Sequence, residues 1–352
     1  MLVEVQRGAL TESQHRGHVV QVAAAGDVVR AVGAPNTEVM LRSTVKPFGL
    51  VALIRSGAAD EFALTSSELA IMAGSHTGED KHVRTLQAIF RRASVTQGLL
   101  ACGAAGAPVD RRTASRLARD GETAGPLRHG CSGYHAASIL MSVHGGWSLD
   151  DYADPKHKSQ VAIRDTLAVL FGQRPESMRM GMDDCGLATY AMPLVEIARA
   201  YLLLADPERS TRDAERAAMA PALKRIRDAM LDAPDMVGGT YDNTDTDLMR
   251  RRPRSIVSKC GSDGLRGIGL LDGADARGTG PAGLAIKIED GDGADRASKA
   301  VTVEALAQVG VLDERDLRAL ADYHHPLTIG PNGVEVAAAL PRFELAPLDE
   351  LT

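Results

Sequence analysis

The run Gly283-Leu284-Ala285-Ile286-Lys287-Ile288 settles the architecture of this chain, because it predicts a β-strand close to the C-terminus. The turn-forming run Glu289-Asp290-Gly291-Asp292-Gly293 follows it. Ser255-Ile256-Val257-Ser258-Lys259 predicts another late strand, and two β-branched runs near the N-terminus predict early ones, His18-Val19-Val20-Gln21-Val22 and Asp27-Val28-Val29-Arg30-Ala31-Val32. Strands from both ends of the chain imply one sheet assembled from the two ends.

The middle of the chain has helical periodicity instead. Apolar residues recur three, four and seven positions apart in four segments, which run from Val83 to Phe90, Ile163 to Leu170, Leu194 to Tyr201 and Met219 to Met230. Pro221 should open or kink the last of these helices. Thr65-Ser66-Ser67-Glu68 has the form of a capping box before a further helix.

This order of elements predicts an α+β fold in which a long helical insertion interrupts the sheet. We expect residues 1–42 and 252–352 to form a sheet-containing domain and residues 43–251 to form a helical domain. A cleft between two such domains is the natural place for a ligand, so the active site is predicted there.

Composition narrows the class of protein. The chain has 352 residues, of which 44% are apolar and only 12 are aromatic (5 Phe, 6 Tyr, 1 Trp), so an aliphatic core is expected. The net charge of −6 argues against nucleic-acid binding as the main task. No apolar run approaches the roughly 20 residues of a membrane span. Four cysteines and a polar N-terminus predict a cytoplasmic protein.

Two serine–lysine pairs could carry chemistry. Ser43-Thr44-Val45-Lys46 is an S-x-x-K tetrad, whose lysine can reach the serine hydroxyl across one helical turn. Pro47 restricts the tetrad to a helix start. A lysine with a depressed pKa can take the serine proton and activate the hydroxyl as a nucleophile, although a capping serine beside a surface lysine gives the same pattern.

Ser75-His76-Thr77-Gly78-Glu79 supplies a second hydroxyl on a turn, and Lys259-Cys260-Gly261 places a second lysine at a strand end, where glycine lets a substrate approach. Alone, the first string is an ordinary turn and the second an edge strand. Together with the tetrad they repeat the site plan of serine β-lactamases and penicillin-binding proteins.

Two cysteines on Gly-flanked turns form a second constellation. Cys131 lies in His129-Gly130-Cys131-Ser132-Gly133-Tyr134-His135 and Cys185 in Gly181-Met182-Asp183-Asp184-Cys185-Gly186. Their thiolates could bind a soft divalent ion such as Zn²⁺, with His129, His135, Asp183 or Asp184 within sequence reach. Two small buried thiols would explain the same pattern.

The ordered strings resemble the L-asparaginase II family, the rhizobial-type L-asparaginases, from about Arg7 to Pro341. They include the strings above that contain Ser75, Lys259, Cys131 and Cys185. The others are Leu41 to Pro47, Glu68-Leu69-Ala70 with His82, Gly239-Thr240, Asp245-Thr246-Asp247-Leu248-Met249 and Gly283 to Gly291. The resemblance implies a serine β-lactamase/glutaminase-like fold with an antiparallel sheet, hydrolysis of L-asparagine to L-aspartate and ammonia, and a homodimer.

The resemblance also implies a site. Its catalytic residues would be two Ser-Lys tandems, Ser43 with Lys46 and Ser75 with Lys259. Its substrate-binding residues would be Arg42, His76, Asp183 and Gly261. Its zinc ligands would be Cys131, Cys185 and a lysine, but this chain has Tyr134 at the position of that lysine.

Because Tyr134 replaces the lysine ligand, the sequence does not decide whether this protein binds zinc. An unperturbed tyrosine ionises only near pH 10, so the zinc would be absent, more weakly bound, or completed by a neighbour such as His135 or Asp184. Asp184 and Cys260 also stand where the family usually has glycine.

The sequence thus predicts an amidohydrolase acting on L-asparagine or a similar small amide, with no nucleic-acid or membrane partner. In the predicted mechanism Ser43 attacks, Lys46 takes its proton, and Ser75 with Lys259 passes a proton to the leaving ammonia. Ser75 as the nucleophile is a variant of this mechanism. The alternatives are a serine acyl-hydrolase of the same fold acting on another amide, ester or peptide, and a non-catalytic binding protein on the same scaffold.

Overall fold

The protein is described from a computed structural model that covers residues 1–208, 214–275, 278 and 280–347. The chain folds into two compact units. The first, the sheet unit, comprises Met1–Thr44, Met192–Asp206 and the described part of Arg251–Thr352. The second, the helical unit, comprises Val45–Ala191 and the described part of Pro207–Arg250.

The strands follow the chain in this order: β1 (Val3–Arg7), β2 (Leu10–His15), β3 (Gly17–Val22), β4 (Val28–Val32), β5 (Glu38–Met40), β6 (Met180–Met182), β7 (Ala188–Pro193), β8 (Ile256–Gly261), β9 (Leu265–Leu270), β10 (Ala282–Ile288), β11 (Leu327–Ile329) and β12 (Glu335–Pro341).

The α-helices are α1 (Lys46–Arg55), α2 (Ala58–Glu61), α3 (Ser66–Ala73), α4 (Asp80–Arg92), α5 (Arg111–Asp120), α6 (Ser132–His144), α7 (Lys158–Leu170), α8 (Leu194–Ala205), α9 (Ala214–Ala217), α10 (Ala220–Asp232), α11 (Pro234–Val237), α12 (Thr244–Arg251), α13 (Ala297–Gln308), α14 (Glu314–Ala319) and α15 (Ala321–His324). Short 3-10 helices occur at Arg42–Val45, Gln97–Leu99, Pro126–Arg128 and Pro175–Ser177.

Two antiparallel sheets build the sheet unit. The order of strands in one is β4-β3-β10-β9-β8, and in the other it is β11-β12-β1-β2. The run Gly283 to Ile288 lies in β10, where Leu284 pairs with Gln21 on one side and Ile268 on the other. The predicted α+β class, with an antiparallel sheet from both chain ends, is confirmed.

Helix α8 packs on this sheet, and the contact explains why Met192–Asp206 groups with the strands although the sequence assigned it to the helical domain. A Cβ on Gly283 would lie 1.9 Å from the carbonyl oxygen of Ala198. The helix backbone therefore rests directly on β10, at a distance that only glycine permits. The apolar period from Leu194 to Tyr201 shows a helix, but not the unit to which it belongs.

The helical unit has an aliphatic core in which α3 packs against α6 and α10, while α1 packs against α7 and α10. A Cβ on Gly133 of α6 would lie 2.3 Å from the carbonyl oxygen of Ile71, so these helices also approach closely. The predicted capping box is confirmed, since Thr65 and Glu68 exchange hydrogen bonds at the start of α3. Among the residues that the structure describes, no helix has the length and apolarity required to span a membrane.

Candidate active site

The S-x-x-K tetrad lies at the junction of a 3-10 helix and an α-helix. Ser43 belongs to Arg42–Val45, and Lys46 is the first residue of α1, with Pro47 in the first turn as the sequence predicted. Ser43 is buried, and the carbonyl of its neighbour Thr44 accepts a hydrogen bond from the Tyr201 hydroxyl at 2.9 Å. The sequence predicted a helix at Tyr201 but not this contact with Thr44, because a tyrosine at a periodic position is typical of any helix core.

Lys46 is almost completely buried, yet its amine is fully engaged. It donates hydrogen bonds to the Ser75 hydroxyl at 2.9 Å, to the Gly74 carbonyl at 3.0 Å and to the Cys131 sulfur at 3.3 Å. The resemblance had paired Lys46 with Ser43 and Ser75 with Lys259. The contact that joins a lysine to Ser75 in the helical unit is made by Lys46.

The groups around Lys46 favour the charged form of its amine. Burial alone would lower the pKa of its amine, but Cys131, Cys185 and Asp183 outweigh burial and raise that pKa above its usual value. The amine is therefore an ammonium in the resting protein, which agrees with its role as the donor in all three hydrogen bonds.

Ser75 follows α3 on a segment held by the region around Val237. The amide of Ser75 donates to the Val237 carbonyl at 2.8 Å, and a Cβ on Gly74 would lie 2.4 Å from the same oxygen. Further along, Glu79 accepts hydrogen bonds from the amide and hydroxyl of Thr240, at 2.6 and 2.7 Å. Although burial opposes it, these bonds hold the pKa of Glu79 below its usual value. Hydrogen bonds thus fix the segment Ser75 to Glu79 at both of its ends.

His76, predicted to bind substrate, uses both ring nitrogens inside the protein. Its Nε2 donates to the Ser132 hydroxyl at 2.9 Å, and its Nδ1 accepts the Gly78 amide at 3.2 Å. Burial, His82 and Lys46 lower the pKa of His76 well below its usual value, so the ring is neutral. In this arrangement His76 orients the segment that carries Ser75.

The two cysteines of interest come together in the helical unit. Cys131 is the residue directly before α6, and Cys185 lies on the tight turn between β6 and β7, where Gly186 adopts a φ of 87°. The hydrogen bond from Cys185 and the charge of Lys46 lower the pKa of Cys131 far below its ordinary value, whereas the same pairing raises the pKa of Cys185. The two shifts run in opposite directions, so Cys131 is the sulfur of the pair that loses its proton first.

Tyr134, which stands at the position of the third zinc ligand that the resemblance implies, packs against α1. Tyr134 is buried, and its hydroxyl lies 1.9 Å from the position that a Cβ on Gly49 would take. Burial raises the pKa of Tyr134, so it is a neutral phenol. Over the described ranges, no three side chains among His, Cys, Asp and Glu are grouped so that they could hold a metal ion.

The remaining predicted residues belong to the sheet unit. Lys259 is fully buried on β8, and its amine bonds the Cys260 carbonyl at 2.5 Å. A Cβ on Gly261 would lie 3.2 Å from Thr44 and 3.3 Å from Arg42, so the end of β8 packs beside the segment that carries Ser43. Arg42 forms an ion pair with Asp263 at 2.9 Å.

Each unit therefore holds part of the predicted constellation. The sheet unit brings the Arg42–Thr44 segment beside Gly261, and the helical unit joins Lys46, Ser75 and Cys131. The resemblance implies that Asp183 binds substrate, and in the structure its negative charge helps to raise the pKa of Lys46. A serine hydroxyl that is hydrogen-bonded to a buried lysine amine is an arrangement typical of hydrolases that use a serine nucleophile.

Comparison with known proteins agrees with this class. The L-asparaginase II family matches the chain over residues 3–340, so the protein belongs to the L-asparaginase II family, a family of amidohydrolases. No curated protein sequence matches the chain significantly.

Several solved structures are distantly similar to the chain. A probable glutaminase from Bacillus subtilis, complexed with 6-diazo-5-oxo-L-norleucine, is 12% identical over 86% of this chain and 87% of its own, with a TM-score of 0.41. The L-glutamate-binding form of the protein named Mglu is 16% identical over 88% of this chain and 64% of its own, with a TM-score of 0.39. At these identities the likeness says nothing about substrate.

Proposed function

We propose that the protein hydrolyses the side-chain amide of L-asparagine to L-aspartate and ammonia through a serine nucleophile. The observation that supports this most directly is the 2.9 Å hydrogen bond between the Lys46 amine and the Ser75 hydroxyl, in a chain of the L-asparaginase II family. A buried amine beside a hydroxyl can move protons during acyl transfer without the aid of bulk water.

In the proposed mechanism the Lys46 ammonium first gives a proton to Cys131, whose sulfur it contacts at 3.3 Å. The free amine then takes the proton of Ser43 as Ser43 attacks the amide carbon. Lys46 then protonates Ser75 as Ser75 gives its own proton to the departing ammonia. The C–N bond breaks, an aspartyl ester on Ser43 remains, and water hydrolyses it to L-aspartate. The Lys46–Ser75 hydrogen bond is the middle link of this relay. The pairing of Lys259 with Ser75 that the resemblance implies stays a prediction.

Ammonia release from L-asparagine by the purified, chelator-treated full chain tests the proposal, with L-glutamine as the competing amide. Release from asparagine supports the proposed activity. No release from either amide, together with turnover of an ester or β-lactam, would replace it by a serine acyl-hydrolase. Asparagine binding in calorimetry without ammonia would identify a binding protein.

Serine variants test the assignment of roles. Ser43→Ala should abolish turnover, and Ser75→Ala should slow it by about 10²–10⁴-fold, the usual contribution of a positioned proton carrier. Ser67→Ala, on the exposed side of α3, is the matched control and should behave as the parent. Acyl-enzyme formation by Ser43→Ala, detected by mass spectrometry, would transfer the nucleophilic role to Ser75.

A further inference from the structure

From the donor atoms around Cys131 and Cys185, we infer that this protein holds no zinc where its family resemblance implies it, and that the Lys46 amine secures the cysteine pair instead. The inference refines the proposed function by making the amidohydrolase independent of metal. Its readout is metal content, which does not depend on whether the protein turns over asparagine.

The first step is the number of donors. Protein zinc sites use three or four side chains, most often cysteine, histidine, aspartate or glutamate, and the family resemblance implies a lysine as one of them here. Cys131 and Cys185 supply two. Within the part of the chain that the structure describes, no further His, Cys, Asp or Glu side chain joins them to make a group of three.

The second step is the position of Tyr134, which stands where the family has its third ligand. Its ring packs against α1, and its hydroxyl occupies the space where Gly49 lacks a side chain. Tyrosine is not among the usual zinc donors, and this side chain is committed to the helix interface. Tyr134 therefore packs against α1 at Gly49, which lies three residues after Lys46 in the chain.

The third step concerns His135, the neighbour in the sequence best suited to replace a missing nitrogen ligand. Its Nδ1 is bonded to the Tyr152 hydroxyl at 2.7 Å, in the fully buried interior of α6. The other ring nitrogen is buried, with the Cys185 backbone beside the ring, and His135 does not form a three-membered metal group with the two cysteines among the described residues.

The fourth step is the group that does contact the sulfur. The Lys46 amine lies 3.3 Å from Cys131 and has two further acceptors, so it is fixed at the cysteine pair. With three acceptors around it, the amine uses its hydrogens in these bonds and occupies the side of the Cys131 sulfur that it contacts, so it competes with any metal for that sulfur.

The experiment measures zinc in the full-length protein by elemental analysis after incubation with Zn²⁺ and gel filtration, and measures affinity by competition with a chromophoric chelator. The parent chain should retain far less than one zinc ion per chain. Tyr134→Lys, which restores the family's residue, should bind zinc at least about 100-fold more tightly than the parent. Thermal melting checks that each variant is folded.

Two further variants decide the alternatives. Tyr134→Phe is the matched control, and it should leave the low zinc content of the parent unchanged. Retention of about one zinc by the parent, and its loss in Cys185→Ser or His135→Ala, would overturn the inference. Zinc absent from both the parent and a folded Tyr134→Lys would show that position 134 is not the cause, and would overturn that step.

Discussion

The amine of Lys46 lies 2.9 Å from the hydroxyl oxygen of Ser75, although 29 positions separate the two residues in the chain. The start of α1 and the segment after α3 thereby meet at one nitrogen atom. Gly74 and Cys131 accept the other two hydrogen bonds of the same amine, so its position is set by three acceptors. Lys46 is the point at which the predicted hydroxyl chemistry and the predicted cysteine pair connect.

Lys46→Met keeps the length and burial of the side chain but removes the amine. We expect activity to fall by at least about 10²-fold, since proton transfer through this nitrogen is lost. Rates of ammonia release measure the effect. Lys156→Met, at an exposed position, is the control and should retain full activity. Near-parental turnover by a folded Lys46→Met would remove Lys46 from the proton relay.

Gly49→Ala should destabilise the protein by about 1–3 kcal/mol, because the new methyl group would meet the Tyr134 hydroxyl. The contacts are 1.9 Å to the hydroxyl oxygen and 2.9 Å to the ring carbon that bears it. Tyr134→Phe removes the closer contact and should recover part of the loss in a double-mutant cycle. Urea unfolding measures each free energy, and strictly additive effects would show that the two residues do not interact.

Gly283→Ala should lower the unfolding free energy of the sheet unit by about 1–3 kcal/mol or more, since the added carbon would collide with the backbone of α8. The nearest atoms are the Ala198 carbonyl oxygen at 1.9 Å and the Leu202 amide nitrogen at 2.7 Å. Gly293→Ala is the control, because no atom lies within 4 Å of its added carbon. Equal melting temperatures for the two variants would contradict the close approach.

Stability should fall as the pH drops below about 6.5, the ordinary pKa of histidine. Burial lowers the pKa of His82, so the unfolded chain binds a proton in this range before the folded chain does. Protons therefore favour unfolding as the pH falls from about 6.5 through the folded-state pKa, and no such penalty exists above that range.

The variant His82→Asn tests this pH dependence. The ring accepts the Glu79 amide at Nδ1 and donates to the Asp235 carbonyl at Nε2. Asparagine offers an acceptor near Nδ1 but does not titrate, so its unfolding free energy should vary less between pH 7 and pH 5 than that of the parent. An unchanged pH profile by chemical denaturation would assign the acid sensitivity to other groups.

The sequence by itself determined the local elements and the family. Periodicity is a property of neighbouring residues, so it predicted helices at Val83 to Phe90 and Ile163 to Leu170, which lie in α4 and α7. The capping box of Thr65 and Glu68 is equally local, and it is confirmed. Ordered motifs along the whole chain identified the L-asparaginase II family, which the match over residues 3–340 confirms. The homodimer and the substrate stay predictions.

Only the tertiary structure decided how these pieces meet. That Lys46 bonds Ser75 and Cys131, that α8 rests on Gly283, and that Tyr134 fills the space beside Gly49 are all contacts between residues far apart in the chain. A hydrophobic period tells which face of an element is buried, but not which element covers it. That choice depends on volumes and backbone distances summed over the folded chain, which no single segment contains.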